Sequence, residues 1–234
     1  MERFVLGYSA IWIAVVGGLE WTRAFSRWGD LGHLAIGVGL ALPLWAAPFA
    51  LERVRPLAAR HASRFTLFIA ISTFLQVGLG SQLFFDRLGM EYHFPVRLVL
   101  ARTPLFLYFL TIAYFSSYFV VLMMAWRAFA TRFPEAPRPL GWAVRALLSF
   151  GVAFAETFAM ATPALAEWFR YRDRVFMLSW GSLAYGTVFF VMLPAFARLD
   201  VEPRTLRRVT GEALFANLLV LVCYLLYSLV LQPR

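Results

Sequence analysis

Ala153-Phe154-Ala155-Glu156-Thr157-Phe158-Ala159-Met160-Ala161 sets one carboxylic acid among small and aromatic residues, with no arginine or lysine within two helical turns. The surrounding segment, about Leu140–Ala161, is otherwise apolar and long enough to cross a bilayer, which takes about 20 residues. A charge at the bilayer centre costs at least ~2.5–3.5 kcal/mol on insertion scales. An acid in the middle of such a segment either ties two helices by a hydrogen bond or handles a proton. Proton chemistry is the leading expectation.

Composition places the rest of the chain in the same setting. Of 234 residues, 61% are hydrophobic, and mean hydropathy is +0.69. A soluble domain sits nearer ~45–50% apolar, so a membrane protein is expected. The net charge is +9, and all 22 basic residues are arginine. They are scattered between hydrophobic segments, which fits membrane-flanking loops and speaks against a nucleic-acid site. The single Cys223 lies in an apolar run, so neither a disulfide framework nor a cysteine-rich metal site is possible. Aromatic residues make up 18%, with 24 Phe, 9 Tyr and 8 Trp. Such a content suits a pocket for a large rigid apolar molecule, or rings that face lipid.

Seven apolar segments follow in order, at about Phe4–Leu19, Leu31–Leu51, Phe65–Phe85, Leu105–Ala130, Leu140–Ala161, Val175–Ala197 and Glu212–Leu231. The first has a short basic start but no small-x-small cleavage site, and Glu20 and Trp21 follow it; it reads as a retained span. Pro43 and Pro48 are expected to kink or break the second. Ser72, Thr73, Gln76, Ser81 and Gln82 require the third to turn one face inward. In the fourth, Thr111, Tyr114, Tyr118 and Val121 share a side at helical spacing. The small residues around Glu156 let another helix or a ligand come close. Glu212 opens the seventh, where an acid suits a helix N-terminus. The connections are short, so residues 1–234 form a single transmembrane domain, an all-α polytopic helix bundle. Ala130–Pro139 is the most linker-like piece. Arginines favour the side of the N-terminus and the even-numbered loops, which predicts a cytoplasmic N-terminus. Trp21, Trp28, Trp126, Trp142 and Trp168 lie near segment ends, where aromatic belts sit. Trp12, Trp45 and Trp180 lie deeper and are pocket candidates.

Metal and phosphate chemistry find no support in the sequence. His33, His61 and His93 are isolated near segment ends, and no phosphate-binding glycine loop or nucleophile elbow occurs. Carboxyls, phenols, hydroxyls and amides remain, a set that suits proton transfer in an apolar cavity without cofactor or metal.

A series of short stretches resembles cycloeucalenol cycloisomerase, the cyclopropyl-sterol isomerase family. They are Tyr8-x-x-x-Trp12; Ala41-Leu42-Pro43 with Pro48; Tyr92-His93-Phe94-Pro95; Ala155-Glu156-Thr157; Asp173-Arg174-x-x-Met177; Gly181-x-Leu183-x-Tyr185; Pro194-x-Phe196-x-Arg198-x-Asp200; and Arg208-Val209-x-x-Glu212-Ala213-Leu214. Order and spacing over nearly the whole chain carry the match, which is densest from Ala153 to Leu214. The plant pattern of that family has histidines in the third and fourth spans, where this chain has Gln82 at one place and apolar or aromatic residues at the others.

The resemblance implies opening of the 9β,19-cyclopropane ring of a sterol to a Δ8 product, without cofactor or metal. That reaction needs a well-placed acid that is neutral at rest, and burial favours the neutral form of a carboxyl. It then needs a base for the proton lost from the carbocation. Glu156 is the expected acid. Ionised Glu156 itself, or Asp173 or Tyr185 through water, is the expected base. Tyr92, Gln82, Tyr118, Trp12, Trp180 and Glu212 are expected to touch the sterol. Simpler roles stand beside several of these: a loop ion pair for Asp173, a core phenol for Tyr185, a helix-start acid for Glu212, loop packing for Tyr92. Two other functions fit the same residues, a Δ8–Δ7 sterol double-bond isomerase and a non-catalytic sterol or isoprenoid carrier. The expected partners are a sterol and the lipid bilayer. The expected location is a bacterial cytoplasmic membrane or the endoplasmic reticulum.

Overall fold

The structure, a computed structural model, describes residues 1–56, 59–199 and 204–231. Among them, seven helices are long and apolar enough to cross a membrane: α1 Glu2–Trp21, α2 Asp30–Leu51, α3 His61–Arg87, α4 Leu105–Arg132, α5 Arg138–Met160, α6 Arg174–Phe196 and α7 Leu206–Val230. The all-α bundle is thus as expected, with helix bounds that differ from the expected ones by a few residues. Asp200, part of one quoted stretch, lies outside the described residues.

Three expectations about these helices need correction. First, of the kink or break expected in α2, the break does not occur: the helix runs on through Pro43 and Pro48. Pro48 has no N–H for the Leu44 carbonyl, but Thr66 Oγ1 of α3 donates to that carbonyl at 3.2 Å. A neighbouring helix therefore supplies the bond that proline removes, and no break is needed. Second, α7 begins at Leu206, so Glu212 lies in its second turn. The start is capped instead by Thr205, whose Oγ1 accepts from the Arg208 N–H. Third, Glu156 is one turn from the end of α5 at Met160, not in its middle.

The core of the bundle is aromatic. Phe119 of α4 is fully buried, with ring centroids at 6.2 Å to Phe68, 5.5 Å to Phe189 and 4.9 Å to Phe196. Offset and edge-on ring pairs of this kind add stabilisation beyond their buried area. Helices α5 and α6 approach closely at Gly186, where a Cβ would lie 2.1 Å from Phe150 Cδ1. The outer faces remain apolar, as on α7, where Leu218, Leu225, Leu226 and Leu229 are exposed. With no water to exclude, such residues suit lipid.

At the end of the bundle where α1, α3 and α5 finish, two long loops fold over the helices. β1 (Met90–Tyr92) pairs antiparallel with β4 (Phe169–Tyr171), and β2 (Val99–Leu100) pairs with β3 (Thr103–Pro104) in a tight hairpin. The hairpin turn puts Ala101 at φ 48° and Arg102 at φ 66°. Non-glycine residues adopt this left-handed region at a cost. Gln82 Nε2 holds the turn by donating to the Ala101 carbonyl at 2.8 Å, and Arg102 Nη1 lies 2.5 Å from Asp86 Oδ1. The β4 loop is also fastened to the α1–α2 loop, since Trp168 Nε1 donates to Ser26 Oγ at 2.7 Å. Trp168 is thus a buried fastening, not a member of an aromatic belt.

Candidate functional site

Beneath the β1–β4 sheet the helices part around two chambers that meet at Glu156. The larger has about 750 Å³ of space, counting its open mouth, and the smaller about 710 Å³ on the same count. Tyr92, Thr111, Glu156, Met160 and Phe169 line both. The strands close one wall with Met90, Tyr92, Phe169 and Tyr171.

Local backbone irregularity shapes the larger chamber. Helix α3 takes a π turn over Gln76–Gly80, and α6 takes another over Met177–Gly181. Each turn opens with a long side chain that lines the chamber and closes with glycine. A Cβ at Gly80 would lie 2.5 Å from Gln76 Oε1, and one at Gly181 would lie 2.1 Å from Met177 Sδ. Each glycine therefore leaves the space over which the side chain four residues earlier folds. Single π turns inside α-helices often mark functional sites.

Glu156 is the acid at the junction. The Tyr118 and Tyr185 hydroxyls lie within donating reach of its carboxyl. Its Oε2 is buried and has no hydrogen-bond partner among the described residues. Ala153 and Thr157, both buried, let α5 press this face inward. Among the described residues, no arginine or histidine lines either chamber. Burial pushes the Tyr92 and Tyr171 phenols up from their ordinary range, and the nearby Glu156 charge adds to it. Both loop tyrosines are therefore neutral hydroxyl donors at the chamber wall.

One side of the larger chamber is backed by a buried polar chain. Gln76 Nε2 donates to Asn217 Oδ1 at 2.9 Å, and Asn217 Nδ2 donates to Ser72 Oγ at 3.2 Å and to the Ala213 carbonyl at 2.8 Å. These bonds account for Ser72 and Gln76 among the inward amides and hydroxyls of the third segment, while Ser81 Oγ donates to the Val77 carbonyl at 2.6 Å.

No family model, curated protein or solved structure matches this chain. The site has to be read from its own geometry.

The structure brings Glu156, Tyr185, Tyr118 and Tyr92 together. It does not bring in the other expected residues. Asp173 caps α6, its Oδ1 accepting from the Phe176 N–H at 2.9 Å. Gln82 faces the β2–β3 hairpin. Trp12 Nε1 donates to Ser117 Oγ at 2.9 Å, and its ring stands edge-on to Tyr114 at 4.4 Å. Trp180 is 40% exposed on the outside of α6. Glu212 is held by Arg204 and Arg208. Sequence reasoning missed Gln76, Tyr171, Tyr224 and Glu20 as lining residues. Glu20 gave one signal, an acid ending an apolar segment.

Proposed function

We propose that the protein is a sterol isomerase that opens the 9β,19-cyclopropane ring of a cyclopropyl sterol to a Δ8 sterol. The observation that carries this reading is a carboxyl with one unpartnered oxygen, set between two phenols where two largely apolar chambers meet. The resemblance described above supplies the substrate class.

In this reading Glu156 gives its proton to the cyclopropane methylene. The bond from that carbon to C9 breaks, the methylene becomes a methyl, and a cation forms at C9. The neighbouring C8–H bond then supplies the electron pair of the new C8=C9 bond, and its proton leaves to the carboxylate. One proton enters and one departs, so no cofactor is consumed. Tyr118 and Tyr185 hold the ionised carboxyl between the steps by donating to it. The rings of Phe84, Phe115 and Phe169 line the larger chamber and offer π faces to the cation. The membrane is that of the sterol-making compartment, a bacterial cytoplasmic membrane or the endoplasmic reticulum.

The experiment is incubation of the purified protein with cycloeucalenol or cycloartenol in deuterated water. The expected product is a Δ8 sterol with one deuterium at the new methyl. Substrate recovered unchanged, with no Δ8 sterol formed, would reject the proposal. A Δ8–Δ7 isomerase would instead act on Δ8 sterols and leave cyclopropanes alone.

A further inference from the structure

The smaller chamber holds a second carboxyl, Glu20, in the last turn of α1. It shares that chamber with Glu156, and these are the acids lining it. Both helices end at the same face of the bundle, so both acids lie one turn or less from that face. Trp21, next in the chain, is 90% exposed. Among the described residues, no hydrogen bond or ion pair reaches the Glu20 side chain, whereas Glu2 and Glu91 each engage arginine. Glu20 is half-buried, so its carboxyl borders both the chamber and the outer face of the bundle, and an ionisable group in a cleft is a candidate for function.

Tyr114 lines the chamber between α1 and α5, and its phenol lies in the field of both carboxyls. Its ring is fixed edge-on by Trp12, which Ser117 holds in turn. The groups facing the two acids are thus phenols, Tyr114 for both and Tyr118, Tyr185, Tyr92 and Tyr171 for Glu156.

We propose that Glu20 is the proton port of the site, exchanging protons between the aqueous face and Glu156 across Tyr114. The inference rests on the proton-handling role assigned to Glu156. Glu20 touches neither substrate nor reacting carbon. A proton leaves protonated Glu20 and reaches ionised Glu156 over the Tyr114 hydroxyl and water in the shared chamber; each O–H bond broken on one oxygen is formed on the next, so the phenol and the water stay neutral. Glu20 then reloads from water.

The full chain in phosphatidylcholine vesicles tests this without substrate. After a pH jump, infrared absorption follows the carboxyl and carboxylate bands that Glu156→Gln removes. Glu20→Gln and Tyr114→Phe are each expected to slow the response of Glu156 at least tenfold, and Glu20→Asp to restore most of the native rate. Equal rates in the native chain and Glu20→Gln overturn the port. A second measurement separates it from the isomerase reading. In deuterated water with a cyclopropyl sterol, the native chain places one solvent deuteron per product. In Glu20→Gln the proton stripped from one substrate is handed to the next, and label per product falls at least tenfold over many turnovers. An unchanged label fraction overturns the port and leaves the isomerase standing. Absence of turnover in the native chain sinks the isomerase, and the infrared rates alone then decide the port.

Discussion

Glu91 Oε1 accepts from Arg172 Nε at 2.5 Å, tying the strand that carries Tyr92 to the loop that carries Tyr171. Arg170 Nε donates to the other oxygen at 2.8 Å, and His93 Nε2 lies 3.3 Å from it. The Arg172 and Arg170 guanidinium groups hold the Glu91 carboxyl well below its ordinary range, at about 2. A carboxyl depressed in the folded state stabilises above its ordinary value and loses that contribution as pH falls toward the folded value. The β1–β4 clasp is therefore expected to loosen between about pH 4.5 and about pH 2. Amide hydrogen exchange at Arg172, whose N–H donates to the Gly89 carbonyl, reads the loosening directly. In Glu91→Gln the faster exchange should be present already at neutral pH. The arginines are well exposed, so the cost in global stability is small, ~0.2–1 kcal/mol per pair.

Glu156→Gln keeps the size of the side chain and its ability to accept from Tyr118 and Tyr185. Thermal unfolding in detergent should change little, while isomerase turnover should fall by ~10²–10⁴-fold, the scale of a lost general acid. Retention of native turnover in this variant would remove Glu156 from the chemistry.

Asn217 is fully buried and ties α7 to α3 through Gln76 and Ser72, with a further bond inside its own helix. Asn217→Ala leaves Gln76 Nε2 and Ser72 Oγ without their partner. A loss of ~1–3 kcal/mol in unfolding free energy is expected, the usual cost of buried groups left unpaired. Denaturation in mixed micelles measures it. Asn217→Ser, which keeps a hydroxyl, should lose less.

Gly186 admits no larger residue without moving Phe150, because its Cβ would lie 2.1 Å from Phe150 Cδ1 and 3.0 Å from the Phe150 Cα. Gly186→Val is expected to push α5 from α6 and to cost ~1–3 kcal/mol by overpacking. Tyr185 is the preceding residue, so the same shift separates its hydroxyl from Glu156. Turnover should fall with stability, whereas a variant on the outer face of α6 such as Trp180→Leu should alter neither.

Hydropathy made the seven spans legible because bilayer thickness sets a length that the sequence must meet. The inward face of α3 was legible too, since Ser72, Thr73 and Gln76 have no business in lipid. Glu156 stood out because an unpaired acid in an apolar run is rare. The partners of that acid were less visible. Asp173 and Glu212 looked like candidates by residue type, yet the first caps a helix and the second answers Arg204 and Arg208. Trp12 and Trp180 share a composition and a depth, but one bonds Ser117 and the other faces outward.

What the amino-acid order determined alone was therefore one-dimensional: span number, span length, and which residues cannot face lipid. Tertiary structure decided which side chains converge. Glu20 and Glu156 are separated by most of the bundle in sequence and share one chamber only because α1 and α5 end at the same face. Periodicity reports the face of a helix that is buried. It carries no information on which other helix that face meets, because any apolar face satisfies any other until packing selects the pair.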